Sequence, residues 1–482
     1  MLTKTKTTAQ LGFFTGLADQ LNQKHPLFQL AHQIDWDIFE QTFSKHYSLT
    51  QGAPSKPIRL MVSLLILKQL RNLSDESIVE QWSENAYYQY FSGEQTFSPK
   101  TPCAPTELVE FRKRIGEEGV ELIFKESIRV NGKDADDSNL SGDTTVQEKN
   151  ITYPTDDKLY KKIIKKCQEI AQKEQVELRQ SYKHTIKKLS IIQRLKRNKG
   201  GAAQARKASK KVKTIAGRLV RELARKLSPE ALNNHEINLK LFTRVLLQKK
   251  QDSNKIYSLH EPATKCYTKG KEHKKFEFGS KASFLITQST GVIVGALNFT
   301  DTLHDSKTLP QAVEQYERLT GKEATNIFLD RGYKGPKKIN NTNLHTPKPD
   351  KNISRDKRKR HQRRAAIEPV IGHLKHDYRM VRNYLKGVVG DAINVMLAAA
   401  AMNFKRIMNI FKMKMPFLSH FFQELYLCCL YFFYPKKLNK IHLFKKTEKN
   451  LFSQLFLGNP NQENLFALFA SALGKQDFDF TK

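Results

Sequence analysis

Residues 361–375 read HQRRAAIEPVIGHLK, and the rest of the chain is best interpreted around this stretch. Its apolar residues recur at helical spacing, which predicts an amphipathic helix: Ile367, Val370, Ile371 and Leu374. Its polar residues recur at steps of three, four and seven, which predicts that they share one narrow face of that helix: His361, Arg364, Glu368 and Lys375. One carboxylate is therefore expected among three potential cations.

That arrangement has two interpretations. Nearby cations favour the ionised form of Glu368, and an ionised carboxylate suits a divalent metal while the cations suit nucleic-acid phosphates. The alternative is an exposed helix with an Arg364–Glu368 pair of small energetic value.

The spacing of the three charged residues also resembles a known signature. Three residues separate Arg364 from Glu368, and six separate Glu368 from Lys375. This spacing resembles the glutamate signature of DDE transposases encoded by bacterial insertion sequences. In that signature a tyrosine stands at the position of His361. The resemblance implies a ribonuclease H-like α/β core, a mixed sheet with flanking helices, in which two aspartates upstream join Glu368 at a metal site.

Composition indicates a polyanionic partner. The 482 residues contain 82 Lys and Arg against 48 Asp and Glu, a net charge of +34. These cations are spread over long stretches rather than one juxtamembrane cluster, which favours nucleic acid over an acidic membrane surface. Five cysteines without a Cys-x-x-Cys pair argue against a disulfide framework or zinc ribbon. Without a secretory h-region at the N-terminus, the expected location is the cytoplasm, at the nucleoid.

The first part of the chain, residues 1–130, is expected to be an all-helical domain. The almost wholly apolar run 60–70 predicts a buried helix, and Ser74 predicts the start of the next one. This pair is either a helix-turn-helix that reads DNA or a plain helical hairpin. By resemblance, this domain contacts the terminal repeats of the mobile element.

The remaining residues divide into three parts. Residues 131–157 and 253–412 carry strand and helix patterns and form the expected catalytic domain. Residues 158–252 predict a basic helical hairpin inserted into it, with two apolar stripes separated by a turn at Asn198-Lys-Gly-Gly201. This hairpin is either a solvated structural insertion or a clamp that neutralises phosphates. The Phe- and Leu-rich tail, residues 413–482, is unassigned.

Two aspartates are candidates for the upstream acids. Asp143 lies in the β-branched stretch 140–146, where aspartate is disfavoured unless a turn or a site requires it. Asp330 follows a short apolar stretch that predicts a strand. In α/β sheets, ligand-binding sites lie at the carboxyl ends of the strands. Asp301 and Asp305 are rivals that are more easily interpreted as residues at a helix start.

The resemblance implies the chemistry. Asp143, Asp330 and Glu368 would bind two Mg²⁺ ions, with Mn²⁺ as a substitute, for in-line displacement at phosphorus. Water would cut the element ends in double-stranded DNA, and a DNA 3′-hydroxyl would then join them to a target.

The phosphate-binding candidates are Arg364, Lys375, His361 and Arg331, and a homodimer on DNA without a membrane partner is expected. The alternatives are a metal-dependent nuclease or resolvase of the same fold, and a non-catalytic DNA-binding remnant.

Overall fold

The computed structural model describes residues 16–48, 50–249, 251–268, 275–347 and 354–433, with side chains up to residue 412. Of the tail, the described part is the end of one helix, and residues 434–482 lie outside the described residues. The unassigned tail therefore stays unassigned.

The N-terminal region is helical, as the apolar periodicity predicts. Its seven helices are α1 (Leu17–Gln20), α2 (Pro26–Gln33), α3 (Asp37–Ser44), α4 (Ile58–Leu70), α5 (Asp75–Glu84), α6 (Ala86–Phe91) and α7 (Pro105–Val130). Helix α4 is buried along nearly its whole length, and Ser74 caps α5 by accepting a hydrogen bond from the Ser77 N–H at 3.0 Å. Both expectations for this pair of helices are confirmed.

The outer face of α5 decides between the two interpretations of the α4–α5 pair. Glu76, Glu80 and Glu84 recur at steps of four and are all exposed. A row of carboxylates would repel DNA phosphates, so α5 is unsuited to lie in a DNA groove. The pair is better described as a helical hairpin, which buries α4.

Residues 156–247 form a basic helical bundle with a hydrophobic core of its own. It contains four helices, α8 (Asp156–Lys173), α9 (Lys183–Arg194), α10 (Gly201–Lys226) and α11 (Pro229–Leu247). Leu159, Ile163, Leu219 and Phe242 are among the side chains in this core. The two-helix hairpin expected from the sequence is therefore wrong in detail, because α9 and α11 also contribute apolar side chains, Leu189 among them.

A seven-stranded mixed sheet forms the centre of the described chain. Its strands are β1 (Asn139–Glu148), β2 (Lys265–Thr268), β3 (Phe276–Thr287), β4 (Ile293–Phe299), β5 (Asn326–Phe328), β6 (Lys338–Ile339) and β7 (Thr342–His345). Strands β2 and β4 both pair with β3, which is followed across the sheet by β1, β5, β7 and β6. The β1–β5 and β5–β7 pairs are parallel, and the other pairs are antiparallel. This mixed α/β architecture is consistent with a ribonuclease H-like domain.

Four helices accompany the sheet, α12 (Asp305–Thr320), α13 (Arg355–Arg363), α14 (Ile367–His376) and α15 (Gly387–Phe433). Residues 387–412 of α15 are long and apolar enough to cross a membrane by length and composition, with a mean hydropathy of 1.4. Yet 78% of that apolar window is buried in the protein, as in a core helix.

The N-terminal helices and the sheet share one hydrophobic core. Leu64 of α4, Phe124 of α7, Phe284 of β3 and Phe404 of α15 belong to the same cluster of buried side chains. Polar contacts also cross this boundary, because Asn403 donates hydrogen bonds to Ser127 Oγ and to the Ile293 carbonyl. The helical region is thus an integral part of the fold.

Candidate active site

Asp143 lies on the central strand of the sheet. Its Oδ1 accepts a hydrogen bond from the Thr144 N–H at 2.7 Å, and 27% of its side chain is exposed. Burial raises the pKa of Asp143; Arg364 opposes this effect, and the carboxylates of Asp330 and Asp305 reinforce it. The strand therefore carries a carboxyl group that gains from a nearby cation.

The sheet register brings Asp330 beside Asp143. In the parallel β1–β5 pair, Ser141 lies opposite Phe328, and each aspartate follows two residues later on its own chain segment. The Asp330 Oδ1 accepts a hydrogen bond from the Arg331 N–H at 2.7 Å, and 62% of its side chain is exposed. The two parallel strands thus place two carboxylates near each other, just beyond the carboxyl end of β5 and midway along β1.

Glu368 comes from helix α14. Ile367, Val370 and Leu374 are buried and fix the orientation of this helix. Glu368 lies on the opposite, outer side, with 65% of its side chain exposed.

One guanidinium joins the three carboxylates. Arg364 Nη1 lies 3.9 Å from an Asp143 oxygen, while its Nη2 lies 3.8 Å from Asp330 and 3.3 Å from Glu368. Only 13% of the Arg364 side chain is exposed, so water screens these interactions less than at an open surface. The structure thus brings Asp143, Asp330 and Glu368 together around a single cation.

The backbone around Arg364 differs from the single continuous helix expected from the sequence. A 3-10 turn, Arg364–Ala366, separates α13 from α14. Pro369 explains the interruption, because proline has no N–H to donate to the carbonyl four residues earlier and its ring clashes with that carbonyl. Arg364 and Glu368 nevertheless remain within ion-pair distance.

His361 packs against an aromatic ring of the sheet. Its ring meets the Phe328 ring edge-on, with centroids 5.2 Å apart, and its buried Nδ1 has no hydrogen-bond partner among the described residues. Burial lowers the pKa of His361, and the cations Lys357 and Arg364 lower it further. The phosphate contact expected of His361 stays a prediction.

Two other predicted phosphate contacts lie close to the acids in sequence. Arg331 follows Asp330 directly and is exposed. Lys375 is half-buried on α14, two turns beyond Glu368.

The donor set matches the ligand chemistry of a hard divalent cation. All three groups are carboxylates, which Mg²⁺ and Mn²⁺ prefer, and the central guanidinium shows that the cluster accommodates positive charge. Among the described residues, however, no three acids, histidines or cysteines are close enough to hold an ion as they stand. To share one ion, the three carboxylates would have to come closer together than they lie in this structure.

A second polar cluster adjoins Asp143. Asp305, the first residue of α12, accepts hydrogen bonds from Thr144 Oγ1 at 2.7 Å and from Lys281 Nζ at 2.8 Å. Burial disfavours its ionised form, but these two hydrogen bonds, together with the charges of Lys281 and His304, outweigh burial and lower the pKa of Asp305. From the sequence, Asp305 is a rival of Asp330 that is more easily interpreted as a residue at a helix start, and no local pattern identifies its link to Thr144.

Comparisons with known proteins match two parts of the chain. Residues 16–114 match the family model "Transposase domain (DUF772)", and residues 248–404 match the "Transposase DDE domain". "Uncharacterized protein ORF8 in nfe locus" of Rhizobium meliloti is 38% identical over 176 residues, which are 36% of this chain and 84% of that protein. No solved structure matches the chain. The second match includes Asp330 and Glu368, while Asp143 lies between the two matched regions.

Proposed function

The chain belongs to the DDE transposases, and from this premise we propose that it binds the ends of an insertion sequence, cleaves them and joins them to target DNA. The observation that carries the proposal is the approach of three carboxylates, from two adjacent strands and a distant helix, to one guanidinium. Such convergence of remote residues on one point is typical of a site rather than of an exposed ion pair.

We assign the metal ligands to Asp143, Asp330 and Glu368. They would hold two Mg²⁺ ions, or Mn²⁺ in their place, and such ions activate an attacking hydroxyl and stabilise a leaving oxygen at phosphorus. In the free protein, Arg364 offsets the mutual repulsion of the three carboxylates. Once it is displaced, Arg364 can contact a DNA phosphate, as can Lys375 and Arg331.

The basic helical bundle supports DNA as the partner. Residues 156–249 contain 26 Lys and Arg against 8 Asp and Glu, a surplus of 18 in this segment alone. Most of these cations are exposed, and such a surface binds phosphates without reading sequence. We propose that the bundle clamps DNA, and that the protein acts as a homodimer on paired element ends at the nucleoid.

A cleavage and joining assay tests the proposal. Purified protein is incubated with Mg²⁺, duplex DNA carrying the inverted repeats that flank its gene, and a target plasmid. The expected products are cut ends and ends joined to the plasmid. Cut ends without joining would support a nuclease or resolvase of the same fold, and retention without cutting would support a non-catalytic remnant.

The clamp makes a separate prediction about salt dependence. Six exposed cations of α9 and α10 are to be replaced by alanine together: Lys187, Lys188, Arg206, Lys207, Lys210 and Lys211. We expect weaker binding to all DNA sequences alike, with the slope of log affinity against log salt reduced by about 0.9 for each phosphate that is no longer neutralised. Fluorescence anisotropy over a salt series measures that slope.

The matched control removes cations that already have acidic neighbours. Lys166 lies 2.7 Å from Glu169, and Lys240 lies 2.8 Å from Glu236. Replacing these two lysines by alanine should change the slope little. If the variant with six alanines retained the salt slope of the unmodified protein, the proposal that the bundle clamps DNA would be wrong.

A further inference from the structure

The segment after helix α14 exposes apolar and cationic side chains that lie close together in sequence. Within it, Val381, Tyr384, Val388 and Val389 are 40–57% exposed. The guanidinium carbon of Arg379 lies 5.5 Å from the centroid of the Tyr384 ring, and the exposed cations Arg382 and Lys386 flank it. We call these seven residues the 379–389 patch. Four large apolar side chains are exposed within nine residues, and a concentration of exposed apolar side chains is typical of a binding surface.

The backbone of this patch is firmly held. Asn383 is 1% exposed; its N–H donates to the Glu148 carbonyl at 2.7 Å, and its carbonyl accepts from the Asn150 N–H at 2.9 Å. Its side-chain amide donates to Asp391 Oδ1 at 2.6 Å. Tyr384 therefore projects from a fixed base, and little ordering entropy is lost when it binds a ligand.

The patch is also tied to the helix that carries the catalytic glutamate. The Val381 N–H donates to the Lys375 carbonyl at 2.9 Å, and the Met380 N–H donates to the Leu374 carbonyl at 3.2 Å. Lys375 is seven residues beyond Glu368, about 10 Å along the helix axis. DNA that reaches from Glu368 past Lys375 would next meet the patch.

The charge and the exposed ring of the 379–389 patch indicate which ligand it binds. If a second copy of this chain bound here through the same surface, its Arg379, Arg382 and Lys386 would face the same three cations of the first copy. These like charges would repel each other, and each chain carries a net charge of +34. Nucleic acid supplies phosphates for the cations and flat apolar base faces for the Tyr384 ring. Paired bases inside a duplex hide those faces, so the matching ligand is an unpaired base.

We propose that the 379–389 patch binds single-stranded DNA at an opened end, with an unpaired base stacked on Tyr384. This inference rests on the proposed function and adds to it a substrate feature, a short unpaired segment next to the cleavage site. The contact requires no metal, so it can be measured without cleavage.

The experiment uses base fluorescence in EDTA. The probe is a 30-base-pair duplex with a five-nucleotide single-stranded extension that carries 2-aminopurine, whose emission is quenched by stacking. The full chain should quench the extension but not 2-aminopurine placed inside the duplex. Tyr384→Ala should abolish the quenching and weaken binding of the extended probe about 5-fold or more, whereas Tyr384→Phe should retain both.

A matched control and a second measurement make each outcome informative. Tyr153 is 58% exposed and lies outside the patch, so Tyr153→Ala should leave the quenching unchanged. Binding of the duplex without any quenching in the extension would overturn the inference but not the proposed function. Failure to bind any DNA would overturn the proposed function as well. If Tyr384→Ala instead dissociated a dimer in light scattering, the patch would be a self-interface and the inference wrong.

Discussion

Asp143→Asn is expected to lower the rate of DNA cleavage about 1,000-fold or more while leaving DNA binding intact. Replacing the carboxylate by an amide removes a charged metal ligand, and metal ions supply several kcal/mol of transition-state stabilisation in this chemistry. The fold should persist, because the carbonyl oxygen of the substituted amide side chain can still accept the hydrogen bond from the Thr144 N–H. Single-turnover cleavage and anisotropy binding measure the two effects separately.

The rival aspartate Asp301 is the matched control. It is exposed, and it does not form an ion pair with Arg364 among the described residues, unlike Asp143. Asp301→Asn should therefore cleave at nearly the normal rate, whereas Asp330→Asn and Glu368→Gln should behave like Asp143→Asn. Normal cleavage by any of the latter three variants would remove that residue from the proposed catalytic set.

Lys149→Met is expected to lower the free energy of unfolding by about 3–5 kcal/mol. Lys149 is 5% exposed; its Nζ lies 2.6 Å from Asp391 and 3.4 Å from Glu261, and it donates to the Gly387 carbonyl at 2.9 Å. Methionine fills a similar volume but leaves two buried carboxylates without their cation. Urea denaturation at pH 7.5 measures the loss.

The pH dependence of this loss is a further test of the same prediction. Burial raises the pKa of Asp391, and Lys149 opposes that effect, so without Lys149 the pKa of Asp391 should rise further. A carboxyl group whose pKa is higher in the folded than in the unfolded chain lowers the free energy of unfolding at high pH. This loss disappears as the pH falls below the pKa of the group in the unfolded chain. The difference between the two proteins should therefore shrink between pH 7.5 and pH 4.

Two variants act as controls for the buried lysine. Lys166→Met removes an exposed ion pair with Glu169 and should leave the free energy of unfolding nearly unchanged. Lys149→Met combined with Asp391→Asn should recover part of the lost stability. A loss that is the same at both pH values would contradict the role of the unpaired carboxylates.

Elements with a strong local signal were predictable from the sequence. The apolar spacing of Leu309, Val313 and Tyr316 predicts a helix from Asp305 to Thr320, which is the helix observed. The short apolar run before Asp330 predicts a strand with an acid at its carboxyl end, and β5 ends two residues before Asp330. Both signals depend on neighbours in sequence, which is why they carry over to the structure.

Features that depend on remote contacts were not predictable. Helical spacing relates Arg364 to Glu368, but only the β1–β5 register brings Asp143 and Asp330 to the same guanidinium. Likewise, the period of the 361–375 stretch does not reveal that the helix is interrupted. The same pattern gives no sign that the Phe328 ring lies beside the ring of His361.

The core that spans the N-terminal helices and the sheet constrains how the gene can evolve. A fragment left by a deletion can act as a repressor only if its DNA-contacting part folds alone. Here a fragment that stops before β1 would lose the part of this buried cluster that β3 and α15 contribute, Phe284 and Phe404 included, and would expose apolar side chains that they cover. Truncated copies of this gene should therefore encode aggregating or degraded products rather than inhibitors of the intact protein.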